Sequence, residues 1–338
     1  MTEAHDRQKP VSPIDGPRVF VTRIIPQAGL EPVQAACQVD LWSGELPPSR
    51  PELLAHIRGT AGILALLTDR IDAEAMDAAG PGLKVISNMA VGFDNVDIAE
   101  ATRRGIPVGN TPGVLTDTTA DMAFALLMAA ARRLGEGDRY VRAGKWRTWG
   151  PMLLLGQDVA RATLGIIGYG RIGRAMARRA AGFDMRVLYY EPGGPALDPD
   201  TGGQAVDLNT LLAESDFVSV HTPLTPDTHH MINAAALGRM KPTAVLINTA
   251  RGPVVDADAL YQALQSGTIG YAALDVTEPE PIPPDSPLLS LDNIIITPHT
   301  ASASVATRGK MARMAADNLL AGLRGERLPN CVNPEVYA

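Results

Sequence analysis

Cysteine, basic charge and long apolar runs are all scarce in this sequence of 338 residues. The two cysteines, Cys37 and Cys331, lie near opposite ends of the chain and in no metal-like spacing. Neither a disulfide framework nor a metal site is therefore expected, which fits a protein of the reducing cytoplasm.

The net charge of -7 argues against the basic surface that nucleic acid requires. The most apolar long segment, 122–131, is far shorter than the roughly 20 residues that cross a bilayer, so no membrane role is expected. The segment 1–17 lacks the apolar core of a signal peptide and predicts a loose tail.

From residue 163 onward, short β-rich runs alternate with helical patterns. The predicted strands cover residues 164–168, 186–190, 217–221, 244–248, 272–276 and 293–297. Most of them are nearly continuous apolar runs, which is typical of parallel strands covered by helices on both faces. The pattern predicts a doubly wound α/β domain.

The first hundred residues repeat this alternation more loosely. The predicted strands cover residues 18–25, 62–68, 83–87 and 106–110, with helices between them. A second, smaller α/β domain is the simplest interpretation. A long pattern at 117–134 predicts a deeply packed helix, and a final helix at 302–323 could belong to either domain.

The stretch "GIIGYGRIG" matches the GxGxxG pattern with Gly168, Gly170 and Gly173, directly after a predicted strand and at the start of a predicted helix. In a dinucleotide site these glycines permit the tight turn, the approach of a pyrophosphate and the close packing of the helix. The alternative is a glycine-rich turn, since the chain has 32 glycines. The strand and helix around the motif favour dinucleotide binding.

Glu191 ends the next strand, 18 residues after Gly173, where a carboxylate can bind the adenosine ribose diol. This acid would repel a 2'-phosphate, and the stretch 192–204 contains no Arg or Lys to neutralise one. NAD is therefore the favoured cofactor. Arg171 or Arg174 near the motif leaves NADP as the second choice.

A nicotinamide cofactor implies hydride transfer, and a keto group that accepts hydride needs a proton donor with a pKa near neutrality, which points to histidine. Four of the six histidines have an ordinary interpretation as solvated or helix residues: His5, His56, His229 and His230. His221 ends a strand and is expected to contact the cofactor rather than to act in catalysis. His299 follows the last strand, at the sheet edge where ligands of such folds bind; the alternative is a turn residue.

Arg251 and three acids lie after other strands of the same sheet. A guanidinium at a buried strand end suits a substrate carboxylate, although an ordinary ion pair is the alternative. The stretch "LDVTEPEPIPP" holds Asp275, Glu278 and Glu280, and alone it reads as a solvated turn. A carboxylate beside the His299 imidazole would orient the ring and favour its protonated form.

Six stretches together resemble the D-isomer-specific 2-hydroxyacid dehydrogenases over nearly the full length. They are "NMAVGFDNVD" (88–97), "GIPVGNTPGVLTDTTAD" (105–121), "GIIGYGRIGRAMARR" (165–179), "NTARGPVVD" (248–256), "LDVTEPEP" (274–281) and "ITPHTASAS" (296–304). The resemblance implies two Rossmann-like domains, with a doubly wound NAD domain (114–297) inserted into a smaller flavodoxin-like substrate domain (1–113 and 298–338). It also implies a homodimer.

The same resemblance implies roles for individual residues. Arg251, Glu280 and His299 match the catalytic residues, and Glu278 becomes a turn residue. The backbone amides of Val91 and Gly92 are implied to hold the substrate carboxylate, beside Arg251 and His299. Further implied cofactor contacts, besides the three glycines and Glu191, are Thr116, Arg171, Ile172, His221, Pro223, Thr228, Thr249, Ala250 and Asp275.

Within the family the sequence looks most like the glyoxylate and hydroxypyruvate reductases. We therefore expect an NADH-dependent reductase of small 2-keto acids, with His299 as the proton donor. The NADP-preferring glyoxylate reductases carry a small residue and Arg where this chain has Glu191 and Pro192, so their cofactor does not carry over. The alternatives are a dehydrogenase of D-lactate or another D-2-hydroxy acid, and a non-enzymatic, NAD-sensing protein of the corepressor type.

Overall fold

A computed structural model describes residues 16–191 and 202–338. The predicted N-terminal tail with His5, and Pro192 with most of the stretch 192–204, lie outside the described residues. The chain divides into two compact units, Met1–Val114 with Val305–Ala338, and Leu115–Ser304. The second division falls at residue 305, beyond the predicted boundary at 298, and the backbone N–H groups of Thr300 and Ala301 donate hydrogen bonds to Asp275 of the second unit.

The first unit is built on a parallel sheet of five strands in the order β2-β1-β3-β4-β5. This is the flavodoxin-like order that the resemblance implies. The strands are β1 (Arg18–Val21), β2 (Gln38–Leu41), β3 (Gly62–Ala65), β4 (Val85–Asn88) and β5 (Val108–Gly109). Apart from the exposed Arg18, every residue of β1, β3 and β4 is buried, as expected of strands covered on both faces.

The helices of the first unit cover both faces of this sheet. They are α1 (Gln27–Ala36), α2 (Arg50–His56), α3 (Ala73–Ala79), α4 (Ile98–Arg103) and the C-terminal α11 (Val305–Leu323). α11 packs closely on the sheet and on α1, because small residues lie at the contacts: a Cβ on Gly29 would lie 2.3 Å from the carbonyl oxygen of Ala312, and the Ser87 hydroxyl donates to the carbonyl of Ala315. The final helix therefore completes the first unit.

The second unit is built on a parallel sheet of seven strands in the order β12-β11-β10-β9-β6-β7-β8. The strands are β6 (Thr163–Ile167), β7 (Arg186–Tyr190), β8 (Gln204–Ala205), β9 (Phe217–Val220), β10 (Val245–Asn248), β11 (Tyr271–Leu274) and β12 (Ile294–Ile296). The chain builds outward on one side of β6 and then returns to β9 on the other. The order reverses between β6 and β9, so ligands are expected at their carboxyl ends.

Apolar cores cover both faces of the second sheet, as its continuous apolar strands predict. Ile166 and Ile167 of β6 are neighbours in sequence but lie in different cores, because successive strand side chains point to opposite faces. The helices are α5 (Thr116–Ala131), α6 (Leu134–Arg142), α7 (Arg171–Ala181), α8 (Leu208–Glu214), α9 (Ala234–Leu237) and α10 (Ala257–Ser266). α5 and α7 pack on one face of the sheet, and α8, α9 and α10 on the other. Within the described residues, no helix is both long and apolar enough to span a bilayer.

Candidate active site

A glycine-rich turn joins β6 to α7 where the strand order reverses. Gly168 has a φ of 90°, and a Cβ there would lie 2.6 Å from the carbonyl carbon of His221. A Cβ on Gly173 would lie 2.2 Å from the carbonyl oxygen of Gly168. At Gly170, by contrast, no described atom lies within 4 Å of such a Cβ. The turn therefore leaves room beside the first N–H groups of α7, where a pyrophosphate fits.

Glu191 lies against this turn. Its Oε2 accepts a hydrogen bond of 2.6 Å from the backbone N–H of Tyr169, and the N–H of Gly168 donates to the carbonyl of Tyr190 at 2.9 Å. The end of β7 and the glycine turn are thus held side by side. Arg171 is the first residue of α7. A contact of this carboxylate with the ribose of a dinucleotide stays a prediction.

Two predicted cofactor residues carry buried polar atoms without a partner. Among the described residues, nothing hydrogen-bonds His221 Nδ1 or Thr249 Oγ1. Buried polar atoms are usually hydrogen-bonded, so both fit a bound ligand. His221 Nε2 lies 2.8 Å from the Ser219 hydroxyl, and burial lowers the pKa of His221 to about 4. At neutral pH this imidazole is uncharged, which suits a cofactor contact better than proton donation.

Other predicted cofactor residues take part in the loops at the same sheet edge. The buried Thr228 hydroxyl donates to the carbonyl of Pro223 at 2.7 Å and so fixes the loop after β9. Thr116 is the first residue of α5, and Ile172 is the second of α7. Their contacts with a cofactor, like that of Ala250 after β10, stay predictions.

His299 and Glu280 form the central pair of the site. The His299 Nδ1 atom lies 2.6 Å from Glu280 Oε1, and the two side chains are 23% and 34% exposed. Burial alone would raise the pKa of Glu280, but the hydrogen bond with His299 and the charges of His299 and Arg251 lower it below the ordinary value. Glu280 is therefore an ionised acceptor at neutral pH, fixed against one nitrogen of the imidazole.

The backbone at His299 is held in an uncommon conformation. Its φ is 53°, in the left-handed region that side chains other than glycine, asparagine and aspartate seldom adopt. The His299 N–H donates to the carbonyl of Asp275 at 2.9 Å. Such strain persists only where the surroundings enforce it, and it is often found at functional sites.

The side chain of Asp275 holds the backbone around His299 in this conformation. Its side chain is 1% exposed and accepts hydrogen bonds from the Thr297 hydroxyl at 2.5 Å, from Thr300 N–H at 2.9 Å and from Ala301 N–H at 2.7 Å. The buried carboxylate thus fixes the backbone path of the loop that carries His299. The sequence predicts a cofactor contact for Asp275 and does not predict this positioning role. The available signal is the cost of an acid at a buried strand end, which requires several donors.

Arg251 follows β10 on the same sheet edge. The Asn248 side chain fixes the backbone around Arg251. Its Nδ2 donates to the carbonyl of Arg251 at 2.9 Å, and its Oδ1 accepts from Ala250 N–H at 3.0 Å. The side chain is partly buried, and its Nη1 donates to the carbonyl of Ala250 at 2.8 Å. The charge of this guanidinium contributes to the lowered pKa of Glu280. This role of Asn248 is a second feature that the sequence analysis misses.

Val91 and Gly92 lie in the first unit, after β4. The Asn110 and Asn88 side-chain amides donate to the carbonyl oxygens of Val91 and Gly92 respectively, each at 2.9 Å. These hydrogen bonds fix the path of the loop. Binding of a substrate carboxylate by its backbone amides stays a prediction.

In the second unit the loops after β10, β11 and β12 bring a guanidinium, a carboxylate and an imidazole to the edge that also holds the dinucleotide-binding turn. This combination defines an oxidoreductase that uses a nicotinamide cofactor.

Comparison with known proteins specifies the family. The sequence model for the "D-isomer specific 2-hydroxyacid dehydrogenase, NAD binding domain" matches residues 124–301. A glyoxylate reductase from Korarchaeum cryptofilum (strain OPF8) is 56% identical over 322 residues, which are 95% of this chain and 97% of that protein. The chain belongs to the D-isomer-specific 2-hydroxyacid dehydrogenase family.

Solved structures agree with this fold. A crystal structure of a protein from Thermus thermophilus has a TM-score of 0.88 and 48% identity, over 93% of this chain and 99% of that one. The NADPH-dependent glyoxylate/hydroxypyruvate reductase from Sinorhizobium meliloti, in complex with citrate, has a TM-score of 0.83 and 35% identity over 95% and 98% of the two chains. The predicted fold class is confirmed.

Proposed function

We propose that this protein reduces glyoxylate, and also hydroxypyruvate, to the 2-hydroxy acids, with NADH as the cofactor and His299 as the proton donor. The observation that carries the proposal is the 2.6 Å contact between His299 and Glu280 at the sheet edge that also bears Arg251. The substrate class rests on relatives such as the Korarchaeum cryptofilum glyoxylate reductase, at 56% identity.

His299 is the residue that moves the proton. Because Nδ1 faces Glu280, the opposite ring nitrogen, Nε2, is left to donate to the oxygen of the substrate. Glu280 accepts a hydrogen bond from the Nδ1–H group, which fixes the orientation of the ring as the charge on it changes. Asp275 holds the loop in place and is a positioning residue.

Arg251 is proposed to bind the substrate. Its planar fork can hold the carboxylate and the keto oxygen together, and its charge stabilises the oxygen as negative charge develops there. The backbone amides of Val91 and Gly92 are proposed to hold the carboxylate as well. The first unit is thus proposed to contribute Val91 and Gly92 to substrate binding, and the second unit to bind the dinucleotide and to contribute Arg251 and His299.

The turn from Gly168 to Gly173, with His221 and Thr249, is proposed to hold the dinucleotide. When bound, the nicotinamide cofactor supplies the hydride for the keto carbon. Glu191 favours NADH, because its carboxylate would repel a 2'-phosphate beside the ribose. The Sinorhizobium meliloti relative is NADPH-dependent, so the preference of this chain depends on that acid.

We propose that the protein is a homodimer. α6 has no buried residue, and large apolar side chains on it and just after it are exposed in the chain alone, among them Trp146 (61%), Trp149 (78%) and Met152 (76%). Such a patch usually marks an interface. Light scattering should give twice the mass of the chain, and Trp149→Asp should yield monomers; a monomeric native protein would contradict the proposal. The free Cys37 and Cys331 suit the proposed cytoplasmic location.

A panel of keto acids tests the proposed activity. Loss of NADH absorbance is measured with glyoxylate, hydroxypyruvate, pyruvate and bulkier 2-keto acids, and repeated with NADPH. We expect the highest kcat/KM with glyoxylate or hydroxypyruvate and NADH. A preference for pyruvate would favour a D-lactate dehydrogenase. NADH binding without turnover of any keto acid would favour the sensor.

A further inference from the structure

Two histidines and a glutamate meet beside the candidate active site without a role in the proposed chemistry. His230 Nε2 lies 2.7 Å from Glu278 Oε2, and His229 Nε2 lies 3.9 Å from Glu278 Oε1. The two imidazoles stack with ring centroids 3.9 Å apart. From the sequence, all three are expected to be loop or turn residues, and 48 residues separate His230 from Glu278.

The spacing of the ligand atoms suits a metal ion. One nitrogen or oxygen from each residue lies within 4.8 Å of the other two, and in the described ranges 16–191 and 202–338 this is the one group of three such side chains. Ligand atoms about 2.1 Å from a tetrahedral ion are about 3.4 Å apart, between the 2.7 and 3.9 Å found here. To reach that spacing the 2.7 Å contact has to lengthen and the 3.9 Å contact has to shorten, which rotations of the partly exposed side chains of His229, His230 and Glu278 can supply.

The backbones that carry these ligands are fixed before any ion binds. The N–H of His230 donates to the carbonyl of Pro253 at 2.8 Å, which joins the loop after β9 to the turn after β10. That turn packs on the loop after β11, since a Cβ on Gly252 would lie 1.9 Å from the carbonyl oxygen of Thr277. The ligands therefore need little ordering on binding, which lowers the cost of forming a site.

We propose that His229, His230 and Glu278 form a binding site for one divalent transition-metal ion of the Zn²⁺ class. Two imidazoles and one carboxylate suit Zn²⁺, Co²⁺ or Ni²⁺ and do not suit Mg²⁺, which prefers oxygen ligands. The ion takes the place of the hydrogen bond between His230 and Glu278, and solvent completes the coordination. The bound ion ties the loop after β9 to the loop after β11, which carries Glu280 two residues beyond Glu278.

Titration with Co²⁺ tests the site directly, because the visible absorption of Co²⁺ reports its ligands. The full chain is prepared without added histidines and is freed of metal with a chelator. We expect one Co²⁺ per chain, displaced by Zn²⁺ and unaffected by Mg²⁺. Zn²⁺ at about 100 times its Kd should raise Tm by about 5 °C.

Variants distinguish this site from weak binding elsewhere. His229→Ala and Glu278→Gln should each weaken Co²⁺ binding more than about tenfold, because even residues that only support a metal ligand change affinity by about 10- to 100-fold. His56→Ala is the matched control: it removes a histidine that lies 2.9 Å from Asp40, and it should bind Co²⁺ as the native chain does. The proposal would be overturned if the native chain bound no Co²⁺, or if both site variants bound it as tightly as the native chain does. Circular dichroism without metal verifies that each variant is folded.

Discussion

The buried carboxylate of Asp275 accepts a hydrogen bond from the backbone N–H of Ala301 at 2.7 Å, across 26 residues of sequence. Its other oxygen accepts from the Thr297 hydroxyl and from Thr300. The position of His299 therefore depends on an acid that we do not expect to touch the substrate. Disturbing Asp275 should affect both stability and turnover.

Asp275→Asn should destabilise the protein and slow catalysis. The amide nitrogen of asparagine would face backbone N–H donors, and a buried donor without an acceptor costs about 1–3 kcal/mol. Chemical denaturation measures the loss in the free energy of unfolding, and kcat should fall with it. Asp317→Asn is the control, since its ion pair with Arg313 is exposed and should contribute less than about 1 kcal/mol. Equal stability of the two variants would contradict the role of Asp275.

Glu280→Gln should lower kcat by roughly 100-fold, the lower end of the contribution of general acid catalysis, because glutamine cannot hold the charged imidazole in the same way. Glu214→Gln, which removes a carboxylate paired with Arg186 on the surface, should leave kcat within about twofold. Equal rates for Glu280→Gln and the native enzyme would remove Glu280 from the mechanism.

The same variant has a predicted pH signature. The pKa of Glu280 in the folded protein lies below its ordinary value of 4.5, so its stabilising effect is complete above pH 4.5 and is lost as pH falls through the folded pKa. Below pH 4.5 the difference in Tm between the native and Glu280→Gln proteins should therefore shrink as the pH falls. A difference in Tm that grows as the pH falls below 4.5 would contradict the lowered pKa of Glu280.

His221 should affect stability in a different pH window. Burial lowers its pKa from 6.5 to about 4, so between these values the unfolded chain binds a proton that the folded chain does not. Stability is thus highest above pH 6.5 and falls as pH drops towards about 4. His221→Gln should flatten the loss of Tm over this window without cofactor. If the Tm of both proteins fell by the same amount over this window, the pKa of His221 would not be lowered in the folded protein.

Glu191→Ala should raise kcat/KM with NADPH by about tenfold or more relative to NADH, because it removes a negative charge beside the expected 2'-phosphate. Glu191→Asp keeps the charge and serves as the control, with a ratio close to that of the native enzyme. An unchanged ratio in the alanine variant would place the cofactor preference elsewhere.

Most of the second unit could be predicted because its strands are buried on both faces. The apolar run at 186–190 is β7 without change, and the others differ by one or two residues at an end. The edge strands β2 and β8 are absent from the prediction. β2 is only partly buried and alternates polar with apolar residues, and β8 consists of two exposed residues. These two edge strands lack the continuous apolar signal that the edge strand β12 retains.

The candidate site was predictable to the extent that parallel strands end at one edge of a sheet. That rule brings Arg251, Glu280 and His299 to the same edge. It cannot predict the hydrogen bonds of Asp275, because these depend on the backbone path at residues 297–301, including the left-handed conformation of His299. Nor can it predict the contact of His230 with Glu278, which joins two loops distant in sequence.

His299→Asn tests the central claim most directly. Asparagine tolerates the φ of 53° at this position better than alanine does, so the loop should keep its path while the proton donor is lost. We predict that kcat with glyoxylate and NADH falls by about 100- to 10,000-fold, while the Kd of NADH, measured by fluorescence, changes by less than about threefold. Turnover equal to that of the native enzyme would contradict the assignment of His299 as the proton donor.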